Sequence, residues 1–452
     1  MKPANYTALS ALATVLFLAG CDSDLGFTGV EPGPSGSSAG FGGTGGGGAG
    51  GGSTGGTGGG SGGGSGPLTE PALVHQLESQ AALWDIKMSG DAQMLVFVSD
   101  ENITGNNPDE GEQIFAVSTS GGMPVQITSA PASNFLLFGD WDITDNGDRV
   151  LFSSSDDLTG DNPALSHNLF LANTDGSGIT QVTQNNSGGF FNEWELSGDG
   201  NLVVFTSEMD LVGTNAANNN QLFRINSDGT GLAQITSDLA FESNVTLAQG
   251  GSRIVYTAGG DPLGTNADQN PELLVINVDG SDHRQLTDTM GVGNFSKPEI
   301  SDDGERIVFA SREDLVGSNA DGSYEVFTIN ADGTGLNQVS NSDRPSGTFA
   351  DNPNAAGDYD ISGNGAYIVF ASDFDYVGTN AVASHTIFWA TYDGTSIGQP
   401  LREGTIAATT TSYRAQNAVL DNSGNVVLFE STRNMSSDAT GSDEKIYTAA
   451  RD

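Results

Sequence analysis

From about residue 84 to the end of the chain, one segment recurs. Residues 300–340 read ISDDGERIVFASREDLVGSNADGSYEVFTINADGTGLNQVS, and residues 196–236 read LSGDGNLVVFTSEMDLVGTNAANNNQLFRINSDGTGLAQIT. Related units begin at Met88, Ile143, Leu247, Ile361 and Leu420, making seven starts at successive intervals of 55, 53, 51, 53, 61 and 59 residues. A period of this length belongs to solenoids, propellers or arrays, in which one unit cannot bury its apolar face alone.

Each unit reads as four short strands. Ile307-Val308-Phe309 and Val326-Phe327 are β-branched and aromatic runs, Gln338-Val339 continues a third, and a fourth precedes the unit, as in Trp194-Glu195-Leu196. Asn146-Gly147, Asp199-Gly200, Asp303-Gly304 and Asn364-Gly365 punctuate the first connection. Asp175-Gly176, Asp228-Gly229, Asp279-Gly280, Asp332-Gly333 and Asp393-Gly394 punctuate the third. Such pairs supply the positive φ of tight hairpins, so the unit is an antiparallel meander. No stretch carries a helical apolar period. The expectation is an all-β fold: a seven-bladed β-propeller of four-stranded antiparallel blades. The seventh unit runs out at Ile446-Tyr447-Thr448, short of its last strand, while residues 74–79 resemble Val125-Gln126-Ile127-Thr128. The N-terminal strand is therefore expected to complete the last blade.

The pattern S-x-D-G-x-x-I-V-F-x-S, an apolar-aromatic strand, then D-G-x-x-x-x-Q-I-T resembles the WD-like repeat of TolB-type β-propellers over residues 72–452. The inserted D-L-V-G-x-N-A element is similar to one in exported bacterial propellers. The resemblance implies a scaffold that binds a protein or ligand. The extra N-terminal domain of TolB has no counterpart here, so its lipoprotein partner is not carried over. Other propellers of this kind gate a hydrolase domain, and none follows the seventh unit.

The N-terminus reads as an export signal. Lys2 precedes an apolar run from Ala8 to Gly20, too short to span a bilayer. Leu18-Ala19-Gly20-Cys21 resembles the bacterial lipobox, which implies acylation of Cys21. Residues 1–20 are the expected signal peptide. Residues 21–66 are a lipidated cysteine with a Gly/Ser-rich tether, and residues 67–452 form the propeller. A flexible tether of this length reaches about 30–40 Å. The expected location is the bacterial cell envelope, anchored to a membrane on its exported side.

Charge excludes one class of partner. With 57 Asp and Glu against 15 Lys and Arg, the net charge of −42 leaves little to neutralise phosphates, so nucleic acid is not expected. The single cysteine excludes an internal disulfide and a cysteine zinc site. The four histidines show no metal-ligand spacing.

Function is expected on the face carrying the long second-to-third loops and the blade-to-blade loops. Asp157, Asp210, Asp261, Asp314 and Asp375 are each followed five residues later by Asn162, Asn215, Asn266, Asn319 and Asn380, a spacing that caps a turn. Two of these loops also alternate oxygens as calcium loops do: Asn266-x-Asp268-x-Asn270-x-Glu272 and Asn319-x-Asp321-x-Ser323-x-Glu325. Neither fills the twelve-residue pattern, and a polar loop entering a strand has the same spacing. Calcium is the only cofactor suggested. Phe135, Phe138, Phe190, Phe191 and Phe349 fall in blade-to-blade loops, as packing between blades or as a binding rim. Asp142, Glu195, Glu299 and Asp360 recur at one inner-strand position, as a channel ring or as solvated caps. These observations favour a monomeric binding scaffold for an envelope protein or glycan, and not an enzyme. A glycan- or lactone-active enzyme using channel carboxylates is the alternative, and a structural envelope protein the third reading.

Overall fold

The computed structural model describes residues 72–76 and 84–451, except 130–140, 186–187, 238–241, 291–294, 343–358, 373, 375, 378–385, 399–414 and 432–444. The described strands form seven four-stranded antiparallel sheets. Their innermost strands are Trp84–Met88, Asp142–Ile143, Phe191–Leu196, Glu242–Leu247, Glu299–Ile300, Tyr359–Ile361 and Ala415–Leu420, in blades 1 to 7. These strands neighbour one another in that order, and the last returns to the first. Seven radial sheets around a channel are a β-propeller. In blade 7 the outermost strand is Ala72–Gln76, paired antiparallel with Lys445–Ala450.

The second and third strands are buried on both faces, because each sheet is covered by the next. Val203, Val204 and Phe205 are fully buried in succession, which explains their unbroken apolar run. At the centre of six blades an aromatic pair stacks directly across the two strands. Phe205 and Phe223 have centroids 5.5 Å apart, Phe309 and Phe327 5.6 Å, and Phe429 and Tyr447 5.7 Å. Phe97–Phe115, Phe152–Phe170 and Phe370–Phe388 repeat the contact. Blade 4 substitutes Tyr256 opposite Leu274. Such pairs contribute about 0.5–1.5 kcal/mol each beyond the area they bury. The apolar clusters cross the gap between blades: Val96 and Ile114 of blade 1 pack with Trp141, Ile143 and Phe152 of blade 2.

Where the first strand turns into the second, the blades are laced together through the main chain. The amide of Asp91 donates to the carbonyl of Asp145, Asp145 to Gly198, Gly198 to Gln249, and Gly250 to Asp302. Asp302 then donates to Gly363, Asn364 to Asn422, and Asn422 to Gly90, each at 2.8–2.9 Å. The seven bonds close a circle and fix neighbouring blades in register around one mouth of the channel. The hairpin Gly304 has φ 73°, as its Asp-Gly pair requires.

Candidate functional site: the central channel

The residue before each repeat start belongs to the channel. Around the ring these are Lys87, Asp142, Glu195, Thr246, Glu299, Asp360 and Val419. Glu299 interacts electrostatically with Lys87, Glu195, Lys297 and Asp360, which come from blades 1, 3, 5 and 6. Residues on separate blades thus share one enclosed space.

Two of the ring carboxylates are braces. Asp142 accepts from the amide of Leu196 in the next blade at 2.8 Å and from Ile143 at 2.8 Å. Asp360 repeats the arrangement with Leu420 and Ile361, both at 2.7 Å. Glu193, two residues before Glu195, reaches the amides of Asn244 and Val245. Thr246 donates to the carbonyl of Pro298 at 2.6 Å. These side chains are therefore not solvated caps. The three carboxylates satisfy backbone donors of a neighbouring inner strand and Thr246 a backbone acceptor, where buried polar groups require a partner.

The other two stand in contrasting environments. Glu195 is 5% exposed, and its Oε1 lies 2.7 Å from Nζ of Lys297. Glu299 is half-buried, and burial pushes its carboxyl up to about 8, against the opposing pull of Lys297 and Lys87. Burial likewise raises Asp142 to about 7, with Glu195 adding repulsion. It raises Asp360 to about 6. Tyr359, buried beside them, shares hydrogen bonds with Ser296 and the carbonyl of Lys297. Lys297 has no equivalent in the repeat and was not picked out from the sequence, although the chain's scarcity of lysine was a usable signal. At the mouth, the Asp302 carboxyl is raised to about 7 by burial and then by Asp145, Asp303 and Asp360.

The loop face distributes the other predicted residues. Phe191 is 3% exposed and packs edge-on against Phe205 at 5.0 Å, so it is core and not a binding residue. Phe190 is 56% exposed and borders a cleft of about 540 Å³ with Asn192, Glu208, Met209, Leu211 and Asn218. Phe135, Phe138 and Phe349 lie outside the described residues, as does Cys21. The Asp-to-Asn loops are internal clamps. The amides of Asn162, Asn215, Asn266 and Asn319 donate to Asp157, Asp210, Asp261 and Asp314 at 2.7–2.8 Å. Asp375 and Asn380 are outside the described residues. Among the described residues no three His, Cys, Asp or Glu side chains gather in a cluster able to hold a metal. Of the proposed calcium residues, Asp268 and Asp321 are exposed, while Asn266, Glu272, Asn319, Ser323 and Glu325 are buried and Asn270 is half-buried.

No family model matches the chain. Over 186 residues it is 30% identical to dipeptidyl-peptidase 5 of Porphyromonas endodontalis, a stretch covering 39% of this chain and 24% of that protein. The match thus spans about a quarter of the relative's length. Among solved structures it resembles oligogalacturonate lyase from Vibrio parahaemolyticus, at 12% identity and TM-score 0.52, over 86% of this chain and 98% of that one. The fold is a seven-bladed β-propeller. A Mycobacterium tuberculosis puromycin-hydrolysing peptidase shares it at 12% identity and TM-score 0.51, over 79% of this chain and 52% of that one. TolB from Acinetobacter baumannii, at 20% identity and TM-score 0.38 over 57% of this chain and 54% of that one, is also among the similar structures. These relatives correct the expectation that the chain is not an enzyme: the sequence relative and propellers of the same fold carry enzyme names. A second oligogalacturonate lyase, 13% identical with TM-score 0.51 over 85% of this chain and 97% of that one, was solved with manganese.

Proposed function

We propose that the propeller acts on a glycan held in its central channel, by acid–base chemistry between Glu299 and Glu195. The observation that carries this reading is the contrast between two carboxyls sharing one space. Glu195 is held 2.7 Å from the Lys297 ammonium, while burial pushes the Glu299 carboxyl up to about 8. A carboxyl raised by burial and a second one ion-paired with a lysine across the same space can supply the acid and the base that glycosidic cleavage needs. Glu299 donates its proton to the glycosidic oxygen as the C–O bond breaks, and Glu195 accepts the proton of the water that attacks the anomeric carbon. The carboxylates around them disfavour a polyanionic substrate, so the glycan is neutral or amino-bearing. The enzyme names of the relatives agree with a catalytic role.

The same proposal places the protein in the cell envelope, anchored through acylated Cys21, with the glycine-rich tether holding the propeller off the membrane. The lipobox-like Leu18-Ala19-Gly20-Cys21 supports this. Labelled palmitate should enter the wild-type chain and not Cys21→Ser, which should leave the membrane fraction.

Catalysis is tested by offering neutral and amino oligosaccharides to the purified chain. The expected result is turnover that Glu299→Gln and Glu195→Gln each abolish while binding persists. Absence of turnover on the whole panel, or full turnover by either variant, would overturn the reading.

A further inference from the structure

The loop between the second and third strands is built the same way in five described blades, which makes each an internal control for the others. Its buried asparagine donates through Nδ2 to a main-chain carbonyl four residues ahead: Asn107 to Gly111, Asn162 to Ser166, Asn215 to Asn219, Asn266 to Asn270 and Asn319 to Ser323. The Oδ1 atom of the same asparagine is a buried acceptor and needs a donor. In blade 1 it accepts from the amide of Gly111 at 3.2 Å, in blade 2 from Ser166 at 3.1 Å, and in blade 3 from Asn219 at 3.2 Å. In blade 5 it accepts from the hydroxyl of Ser323 at 3.1 Å.

Blade 4 departs from this. Asn266 is 2% exposed, yet its Oδ1 has no hydrogen-bond donor. Six residues on, at the start of the third strand, blades 1 to 3 carry an amide: Gln113, Asn168 and Gln221. Blade 4 carries Glu272, which is fully buried and, when ionised, only accepts. Thr287 and Thr289 donate three bonds of 2.6–2.7 Å to it, and no cation pairs with it among the described residues. Blade 5 shows how close the two positions lie. There the single hydroxyl of Ser323 reaches both Asn319 Oδ1 at 3.1 Å and Glu325 Oε1 at 2.8 Å. Residue 270 is asparagine instead, and its Nδ2 is turned to Thr289.

We propose that the second-to-third loop of blade 4 binds a calcium ion between Asn266 Oδ1 and the Glu272 carboxylate, with exposed Asp268 completing the charge. A hard cation takes oxygen ligands from carboxylates and amide carbonyls together. It meets the orphaned acceptor and the uncompensated buried carboxylate at once. Calcium accepts the irregular set that such a loop offers, whereas magnesium demands near-octahedral geometry. The site is separate from the channel and stands whether or not the channel is catalytic.

The test titrates chelator-treated full-length chain with calcium chloride, by calorimetry and by melting temperature. One site of millimolar to submillimolar affinity and a rise in Tm are expected, with magnesium ineffective. Glu272→Gln installs the residue that blades 1 and 3 carry there, so the variant folds, and it should lose both the heat and the shift. Asp268→Asn, on the surface, should weaken binding several-fold. Glu325→Gln in blade 5 should leave the calcium response unchanged. A wild-type chain without a calcium-dependent shift would mean that water alone meets Asn266, and would overturn the proposal. So would an undiminished response in Glu272→Gln or Asp268→Asn.

Discussion

Lys297 Nζ lies 2.7 Å from Glu195 Oε1, joining blade 5 to blade 3 past the intervening Thr246. The two side chains retain 18% and 7% of their exposure. Removing one partner of an enclosed pair leaves the other charge without compensation, which costs about 3 kcal/mol. Lys297→Met should therefore lower stability by about that amount. The double variant with Glu195→Gln should recover most of it. Denaturant unfolding of the two variants measures this, and a loss in the double variant equal to that in Lys297→Met would deny the coupling.

The channel carboxyls set a pH dependence of definite sign. Glu299, Asp142, Asp360 and Asp302 are all raised, to between about 6 and 8. The folded protein holds these protons more tightly than the unfolded chain, whose carboxyls titrate near the ordinary value of about 4. Their stabilisation is complete below that value and is lost as pH rises through the folded pKa values. The surface turn residues Asp175, Asp228, Asp279 and Asp332 have the opposite sign, because Ser or Thr hydroxyls two residues on hold them below the usual range. Tm should fall between about pH 5 and pH 8, and Glu299→Gln should flatten that fall. A Tm that rises across this interval contradicts the assignment.

Seven blades were legible because the signals that specify a blade are local. Asp-Gly and Asn-Gly pairs mark the hairpins, and unbroken runs such as Val203-Val204-Phe205 mark strands covered on both faces. The channel ring was visible as a repeated acidic position, but the sequence left a channel ring and solvated caps both open. What decides its role is the amide of Leu196, 54 residues from Asp142 and brought near only when two blades settle in register. Lys297 was missed for a related reason. It breaks the repeat, so comparison of units discards it, and its partner lies 102 residues away. Phe190 and Phe191 are adjacent, and strand alternation alone does not tell which one enters the core.

The laced mouth of the channel pairs long polar side chains with glycines. A Cβ on Gly198 would stand 2.2 Å from Asp145 Oδ2, and one on Gly363 the same distance from Asp302 Oδ2. Neither glycine has a positive φ, so the obstacle to alanine is the neighbouring carboxylate and not the backbone. Gly198→Ala should cost about 1–3 kcal/mol, as overpacking does. Asp145→Ala in the same chain should relieve most of that cost. A thermodynamic cycle of the four proteins measures the coupling. Additive losses would show that the carboxylate is not what excludes the methyl group.

The neighbours Phe190 and Phe191 separate packing from recognition. Phe191 sits 5.0 Å from Phe205 at an interplanar angle of 87° and is all but inaccessible. Phe191→Ala removes a buried ring and should cost about 3–5 kcal/mol. Phe190 is more than half exposed beside its cleft, so Phe190→Ala should change stability by less than about 1 kcal/mol. Any ligand that uses the cleft should lose affinity in Phe190→Ala at unchanged Tm. Because His167 lies against both rings, at 5.6 Å and 5.9 Å, its proton resonances report on each variant separately. Burial holds His167 down at about 4, so it stays neutral at physiological pH in the wild-type protein. Loss of the Phe191 ring should admit water and bring its titration back toward the ordinary range near 6.5, while loss of Phe190 should move it less. Equal shifts in the two variants would mean that the exposed ring shields the histidine as fully as the buried one.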